Sequence, residues 1–364
     1  MAEPYLLIDL ESIKHNAATL NSAAKGNCEL VGVIKADAYG HGALEVCQAV
    51  DSIDTFAVAR LSEGVALKES GIEKNILVFS GVNTYDDLMV AIKYNLIVVV
   101  HTESQLKLLS TIPNGYKLRC WVKYDSGMHR LGLHKDELMR VLSTLELMES
   151  VNVDCVLSHY SSADNDCERS LIQLENFDKA VASCEVNTSI TNSAALLKGY
   201  YKGQSHARIG LSLYGISPFS DKVGAELGLS PSQSLKAFVT SVRRHPKREP
   251  VGYDGTWVSN EDTNLAVIGI GYADGYPRSA KNGTPVLING VEFPLVGRVS
   301  MDLISVDIGN HSDVKIGDEV TLWGPELPVE RIAKYANLIP YELLTGVSKR
   351  VRRYYSNTHS DIDA

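Results

Sequence analysis

Short apolar runs alternate with longer amphipathic stretches through the first 210 residues of the chain. The longer stretches, such as residues 41–50, 84–95 and 134–150, repeat apolar residues every three or four positions, which is the spacing of a helix with one buried face. The short runs are rich in valine, isoleucine and leucine, the composition of strands covered on both faces. These runs lie at residues 30–35, 55–59, 75–79, 96–100, 118–123, 152–158, 188–191 and 207–210.

Eight such strand–helix repeats predict an α/β fold, a closed parallel (β/α)8 barrel of the TIM type, because crossovers between parallel strands are right-handed. An open doubly wound sheet shows the same alternation. However, the glycine fingerprint G-x-G-x-x-G of the dinucleotide-binding open sheets is missing after the first strand. The sequence therefore favours the barrel.

The pattern changes after about residue 230, where strand-like runs are separated by Gly, Pro and Asn-Gly turns. A chain of 364 residues is long enough for two domains. We expect a barrel over residues 1–230 and a mainly antiparallel β-domain over 231–364, with one helix at 328–337. The apolar run at 5–9 precedes the first barrel strand, and its partner is left open between the barrel and the β-domain.

Composition excludes several classes of function. The formal net charge of −9 argues against a nucleic-acid partner, because such proteins need a basic surface. No apolar run approaches the ~20 residues of a membrane-spanning helix. The N-terminal segment has acidic residues and too short an apolar core for a secretory signal. The six cysteines show no metal-binding spacing, so we expect reduced, mostly buried thiols in a cytoplasmic protein.

Ionisable, amide or hydroxyl side chains stand at or just beyond five predicted strands. They are Lys35, Lys123, Asp125, Arg130, His159, Asn192, Ser193 and Arg208. Any one of them alone is explained by an ordinary strand-end polar residue, but the carboxyl ends of barrel strands meet at one mouth. A lysine amine beside several cations suits an anionic ligand, and small residues after the last two strands would let backbone N–H groups approach a phosphate. This combination suggests pyridoxal phosphate held as a Schiff base.

Seven segments then carry a family resemblance across nearly the whole chain and in order. They read VIKADAYGHG, KYDSGMHRLG, NSAA, RIGLSLYG, GYDGTW, GYADGYPR and GRVSMD. Together they resemble the bacterial alanine racemases, fold-type III pyridoxal-phosphate enzymes. The resemblance implies a homodimer with shared active sites that interconverts L- and D-alanine and provides D-alanine for peptidoglycan.

The resemblance also implies roles for individual residues. Lys35 would hold the cofactor and act as one proton-transfer base, and Tyr253 from the partner subunit would be the other. The substrate carboxylate would be received by Arg130 and by the backbone of the partner's Met301. The cofactor would be held by Tyr39, His159, Asn192, Ser193, Arg208, Gly210, Leu211 and Tyr341. Supporting roles would fall to Lys123, which is often carbamylated in this family, and to Tyr272 and Asp302 at the entrance.

Arg208 favours racemisation over other cofactor chemistry. An arginine at the pyridine nitrogen donates a hydrogen bond without giving up its proton, which limits charge delocalisation into the ring. A related decarboxylase would carry glutamate there, and non-catalytic pyridoxal-phosphate carriers lack the β-domain. A racemase that prefers serine or accepts many amino acids stays open as an alternative. Asp254 departs from the glycine that often follows the tyrosine in this family. We expect no metal site, and we interpret His129 and His134 as surface residues.

Overall fold

Eight parallel strands form a barrel, which confirms the fold predicted from the alternating pattern. The computed structural model describes residues 3–26, 28–200, 203–310 and 313–356. A first strand, β1 (Tyr5–Asp9), lies outside the barrel. The barrel strands follow in chain order as β2 (Glu29–Val33), β3 (Thr55–Val58), β4 (Asn75–Val78), β5 (Ile97–Val100), β6 (Leu118–Lys123), β7 (Val151–Leu157), β8 (Asn187–Ser189) and β9 (His206–Ile209).

From β2 to β8 each barrel strand pairs with the next one along the chain, and β9 pairs with β2. The gap between β8 and β9 is bridged by a parallel contact between Asn192 and Arg208 and by a 2.9 Å hydrogen bond from Ser205 N to Thr188 O. The carboxyl ends of the strands therefore surround one mouth, where enzymes of this fold have their active sites.

Helices before and between the strands cover the outside of the barrel. In chain order they are Leu10–Ala24, Ala43–Ala49, Leu61–Glu69, Tyr85–Lys93, Glu103–Leu109, Lys135–Glu146, Cys167–Val181 and Ser193–Leu197. Their starts are set by side chains that accept backbone N–H groups. Asp9, for example, accepts the N–H groups of Glu11 at 3.0 Å and Ser12 at 3.2 Å.

The second half of the chain forms another sheet. Its strands are β10 (Gln233–His245), β13 (Thr263–Ile268), β14 (Pro285–Ile288), β15 (Val291–Val296), β16 (Ile304–Gly309), β17 (Glu319–Trp323) and β18 (Arg352–Ser356), and a separate hairpin joins β11 (Pro250–Val251) to β12 (Trp257–Val258). The first half of the long β10 pairs with β1 and β17, and its second half pairs with β13. Two helices, Val329–Ala336 and Pro340–Gly346, pack with this sheet.

Strand β1 belongs to this second sheet and not to the barrel. It runs antiparallel to β10, with Tyr5 opposite Lys236, and parallel to β18, with Tyr5 opposite Arg352. The sheet is otherwise antiparallel. The chain therefore begins in the sheet that it later completes, and this pairing ties the two halves together.

One buried hydrophobic cluster runs through both halves and includes Trp323, Tyr214 and Tyr276 among its largest side chains. The six cysteines are all free thiols, and four of them are buried, as the sequence predicts. Within the described residues, the helices are too short or too polar to cross a bilayer.

Candidate active site

Most of the predicted site residues line one cavity at the mouth of the barrel. The cavity has a volume of about 570 Å³. The predicted residues that line it are Lys35, Tyr39, Lys123, Arg130, His159, Asn192, Ser193, Arg208, Gly210, Leu211 and Tyr341. The structure thus brings together side chains that are spread over more than 300 residues of sequence.

Lys35 stands on a left-handed turn and not at the end of a strand. Strand β2 stops at Val33, whose carbonyl accepts the hydroxyl of Tyr214 at 2.9 Å. We call residues Lys35–Gly40 the Lys35 turn; four of its residues in a row, Ala36 to Tyr39, have φ between 52° and 55°. Left-handed backbone costs about 1–2 kcal/mol for each non-glycine residue. Contacts around the turn must therefore hold it.

Cations crowd the mouth and depress the basicity of its lysines. Burial, followed by the charge of Arg130, lowers the pKa of Lys35, while Glu63 acts in the opposite direction. Burial and the charges of Arg208 and Arg130 lower the pKa of Lys123 to about 8. A larger fraction of each amine is therefore neutral near pH 7 than in water, which suits a lysine that must act as a nucleophile or a base.

Arg208 is clamped by its two terminal nitrogens. Nη1 donates to the carbonyl and the hydroxyl of Ser189 at 2.8 and 2.5 Å, and Nη2 donates to Ser158 O at 2.5 Å. Burial lowers the pKa of Arg208 to about 10, so the guanidinium stays charged at neutral pH. Among the described residues nothing accepts its Nε–H. The geometry leaves this one donor for a ligand in the cavity.

His159 is kept neutral by burial and by the neighbouring cations, above all Arg208, which hold its pKa well below the usual value. Its Nδ1 lies 3.3 Å from Nη2 of Arg208. Because Nδ1 faces a donor, the ring proton belongs on Nε2. The backbone carbonyl of His159 accepts Gln173 Nε2 at 3.2 Å, which fixes the loop after β7.

A second end of the cavity is formed by backbone N–H groups and hydroxyls, which come mainly from the residues that follow β8 and β9. The backbone N–H of Gly210 donates to Ser193 Oγ at 3.1 Å, and a Cβ at Gly210 would lie only 2.8 Å from the hydroxyl of Tyr39. Leu211 begins a short 3-10 turn, whose first N–H groups have no acceptor within the turn. These groups fit the oxygens of a phosphate.

Two tyrosines close this end of the cavity. The rings of Tyr39 and Tyr341 lie 5.6 Å apart between centroids. Tyr341 stands on the helix Pro340–Gly346, so the second half of the chain helps to enclose the mouth of its own barrel. Burial raises the pKa of Tyr39, so this hydroxyl keeps its proton and can donate it to an anion.

Five predicted residues lie outside the cavity. Asp125 instead holds the loop after β6, where its Oδ1 accepts three backbone N–H groups at 3.0 Å. The other four are Tyr253, Tyr272, Met301 and Asp302, all exposed on the second half of the chain. Two neighbouring loops carry three of them: Tyr272 N donates to Ser300 O at 3.0 Å, and Arg350 pairs with both Asp274 and Asp302 at 2.9 Å. Within one chain, Tyr272, Met301 and Asp302 therefore lie close together, outside the cavity that Lys35 lines.

The residues around the cavity include several that sequence reasoning missed. They are Val33, Ala59, Phe79, Ser80, Met128, Leu131, Leu157, Ser161, Asp164, Ala194 and Pro218. Phe79 and Ser80 directly follow β4, so the position of strand ends already pointed to both; Phe79 has no polar group to mark it, whereas the hydroxyl of Ser80 was overlooked. Tyr160 also lines the cavity.

Sequence comparison identifies relatives over the full length of both halves. Models of the N-terminal and C-terminal domains of alanine racemase match residues 8–218 and 232–355. The alanine racemase of Yersinia pestis is 41% identical over 354 residues, which cover 96% of this chain and 98% of that protein. The alanine racemase of Vibrio cholerae serotype O1 is 39% identical, with 96% and 97% covered.

Solved structures give the same result. The biosynthetic alanine racemase from Pseudomonas aeruginosa superposes with a TM-score of 0.93 at 36% identity, covering 98% of this chain and 100% of that one. The alanine racemase from Acinetobacter baumannii superposes with a TM-score of 0.92 at 34% identity over the same shares. The similarity therefore extends to the arrangement of the two halves.

Proposed function

Given that the chain belongs to the alanine racemase family, whose members are pyridoxal-phosphate-dependent isomerases, we propose how its own residues interconvert L-alanine and D-alanine. The observation that carries the proposal is Arg208. Its terminal nitrogens are fixed by Ser189 and Ser158, its Nε–H is left without an acceptor among the described residues, and Arg208 lines the same cavity as Lys35. When bound, pyridoxal phosphate supplies an electron sink that makes the α-hydrogen of the amino acid acidic.

The residues of the cavity fit that cofactor from both ends. Tyr39, Ser193, Gly210, Leu211 and Tyr341 would hold its phosphate, with Asn192 supporting them by capping Ala195 N at 2.9 Å. Arg208 would donate to the pyridine nitrogen and, being a permanent cation, would keep that nitrogen unprotonated. His159 would keep the guanidinium in place. Lys35 would hold the cofactor covalently through its amine.

Two bases on opposite faces of the substrate would move the proton. Lys35 would accept or return a proton at Nζ on one face, helped by its lowered pKa. The second base would be the hydroxyl of Tyr253, from the partner subunit. The partner's region 231–364 would therefore complete the site formed by residues 1–230, and the enzyme would be a homodimer with shared sites.

The substrate carboxylate would be held from both subunits. Arg130 lines the cavity as a cation, and Met301 would offer its backbone N–H from the partner. The carbonyl of Met301 already accepts Ala273 N at 2.9 Å, whereas its N–H has no acceptor in the described part of the chain. Tyr272 and Asp302 would border the entrance beside it.

We also propose that Lys123 carries a carbamate. Its amine shares the mouth with Arg130, and within the described residues nothing accepts a hydrogen bond from it. Addition of carbon dioxide to the neutral amine would turn one of two neighbouring cations into an anion that orients Arg130. The lowered pKa of about 8 favours the neutral amine which that reaction requires.

The free, mostly buried cysteines suit a cytoplasmic enzyme. There the D-alanine would supply peptidoglycan synthesis.

Solvent exchange tests the proposal most directly. The cofactor-loaded enzyme, incubated in D₂O with L- or D-alanine, should incorporate deuterium at the α-carbon and produce the opposite enantiomer. Lys35→Ala should lose the absorbance of the covalently bound cofactor together with the exchange, whereas Lys179→Ala, at an exposed helical lysine, should retain both. Exchange that persists in Lys35→Ala would overturn the assignment, and release of carbon dioxide would identify a decarboxylase.

A further inference from the structure

Glu63 joins two loops of the barrel through one carboxylate. Its Oε2 accepts the backbone N–H groups of Ala59 at 2.9 Å and Arg60 at 2.8 Å. Its Oε1 accepts the N–H of Ala36 at 2.7 Å. Ala36 lies 27 residues away in sequence and directly follows Lys35.

Helix capping explains only half of this arrangement. Glu63 is the third residue of the helix Leu61–Glu69, where a glutamate commonly reaches back to the N-cap residue. That contact uses Oε2 and Arg60. A capping residue has no need of Ala36, so the bond from Oε1 serves the Lys35 turn.

The Lys35 turn is a place where such a bond matters. Its backbone has positive φ from Ala36 to Gly40, and only the last of these five residues is a glycine. A backbone in this region relaxes unless its surroundings fix it. Glu63 fixes the first peptide of the turn, and Asp37 ties the turn to the following helix by accepting Ala43 N at 2.9 Å. Lys35 stands at the end that Glu63 holds.

The same carboxylate acts on the charge of Lys35. Arg130 disfavours the ammonium form of Lys35, and Glu63 opposes that effect. One side chain therefore influences both where the amine stands and how readily it accepts a proton.

Building on the proposed function, we propose that Glu63 is a positioning residue for Lys35, which fixes the turn so that Nζ reaches the α-hydrogen on its own face of the substrate. Loss of this contact should slow proton transfer at Lys35 while leaving transfer at Tyr253 unchanged. Small displacements of a reacting group are enough to reduce rates markedly.

The test compares primary isotope effects for the two enantiomers of alanine deuterated at the α-carbon. Glu63→Ala should lower kcat by about tenfold. It should raise the isotope effect only with the enantiomer whose α-hydrogen faces Lys35. Glu63→Gln keeps one carbonyl acceptor in the same shape, so it should fold like the wild type and show a smaller change of the same kind.

Glu330 offers a matched control. Its Oε1 also accepts two backbone N–H groups, from Ser217 at 3.1 Å and Gly224 at 3.0 Å, but it holds no part of the Lys35 turn. Glu330→Gln should leave both isotope effects at wild-type values. Equal changes for the two enantiomers, or wild-type isotope effects in both Glu63 variants, would overturn the proposal. If Lys35→Ala itself retained exchange, the proposed function would fail instead.

Discussion

The turn that carries Lys35 and the turn that carries Tyr253 both use left-handed backbone at non-glycine residues, yet different contacts hold them. The Lys35 turn packs into the barrel mouth, where Glu63 and Asp37 accept its backbone N–H groups and those of its neighbour. Tyr253 is 68% exposed, and the left-handed Asp254 beside it pairs with Arg298 at 2.7 Å.

This difference between the two turns shows which residues of the proposed site one chain brings together by itself. The barrel half has a cavity, a clamped arginine and a fixed lysine. The other half presents a tyrosine, a methionine and an aspartate on an exposed surface, and none of the three lines the cavity of Lys35. This division supports the proposal that a second copy brings the two halves together.

Mixed dimers give the largest expected effect. Lys35→Ala and Tyr253→Phe homodimers should each lose at least about 10²-fold of the racemase activity, the size of a general base contribution. In a mixed dimer one site carries both defects and the other carries neither. Purified mixed dimers should therefore recover about half of the wild-type activity by this site count. Mixed dimers no more active than their parents would refute shared sites.

The pH dependence of stability measures how much the charge of Lys123 destabilises the barrel mouth. The pKa of Lys123 falls from 10.5 in the unfolded chain to about 8 in the fold. Between pH 8 and 10.5, Lys123 is therefore protonated in the unfolded chain but mostly neutral in the folded protein. Because the unfolded state binds more protons there, the free energy of unfolding should rise as the pH increases from 8 to 10.5.

Lys123→Met removes this charge and should stabilise the protein at pH 7 by about 3 kcal/mol in buffer free of carbon dioxide. Urea denaturation at several pH values measures the effect, with the exposed Lys179→Met as control. Bicarbonate should narrow the gap between wild type and variant if the carbamate forms. Parallel pH profiles of wild type and Lys123→Met would contradict the depressed pKa.

Gly271→Ala tests the exposed half. A Cβ at this position would lie 2.3 Å from the carbonyl oxygen of Met301, so the loop must move. We expect the KM for alanine to rise by about tenfold, because a small displacement of a substrate-binding group is costly. The affinity for pyridoxal phosphate should not change, since neither Gly271 nor Met301 lines the cavity proposed to bind it. A loss of cofactor binding in this variant would contradict the proposal that the Met301 loop contacts the substrate and not the cofactor.

The sequence predicted those parts of the molecule that depend on repetition. The barrel strands could be located because each is a run of apolar residues, and the cavity could be located because strand ends meet at one mouth. Arg208 and His159 were found in this way. The same rule overlooked Phe79, whose side chain has no charge to mark it.

Other features depend on contacts that no local pattern encodes. In the Lys35 turn only Gly40 is a glycine, and the four positive-φ residues before it, Ala36 to Tyr39, gave no sign of that backbone in their composition. The bond from Ala36 to Glu63 spans 27 residues. Strand β1 could join either sheet, and pairing with β10 and β18, more than 200 residues later, decided its place.

Asp254→Asn gives the smallest expected effect and tests the contact that distinguishes the Tyr253 turn. Asparagine has the same size and tolerates left-handed backbone, so the variant removes only the charge that pairs with Arg298. An exposed ion pair contributes little, and we expect kcat to fall about threefold. The difference should vanish at high salt, because salt screens exposed charges. Glu292→Gln, which breaks the similarly exposed pair with Arg331, should leave kcat unchanged. A loss that persists unchanged at high salt would contradict an electrostatic role for the Asp254–Arg298 pair.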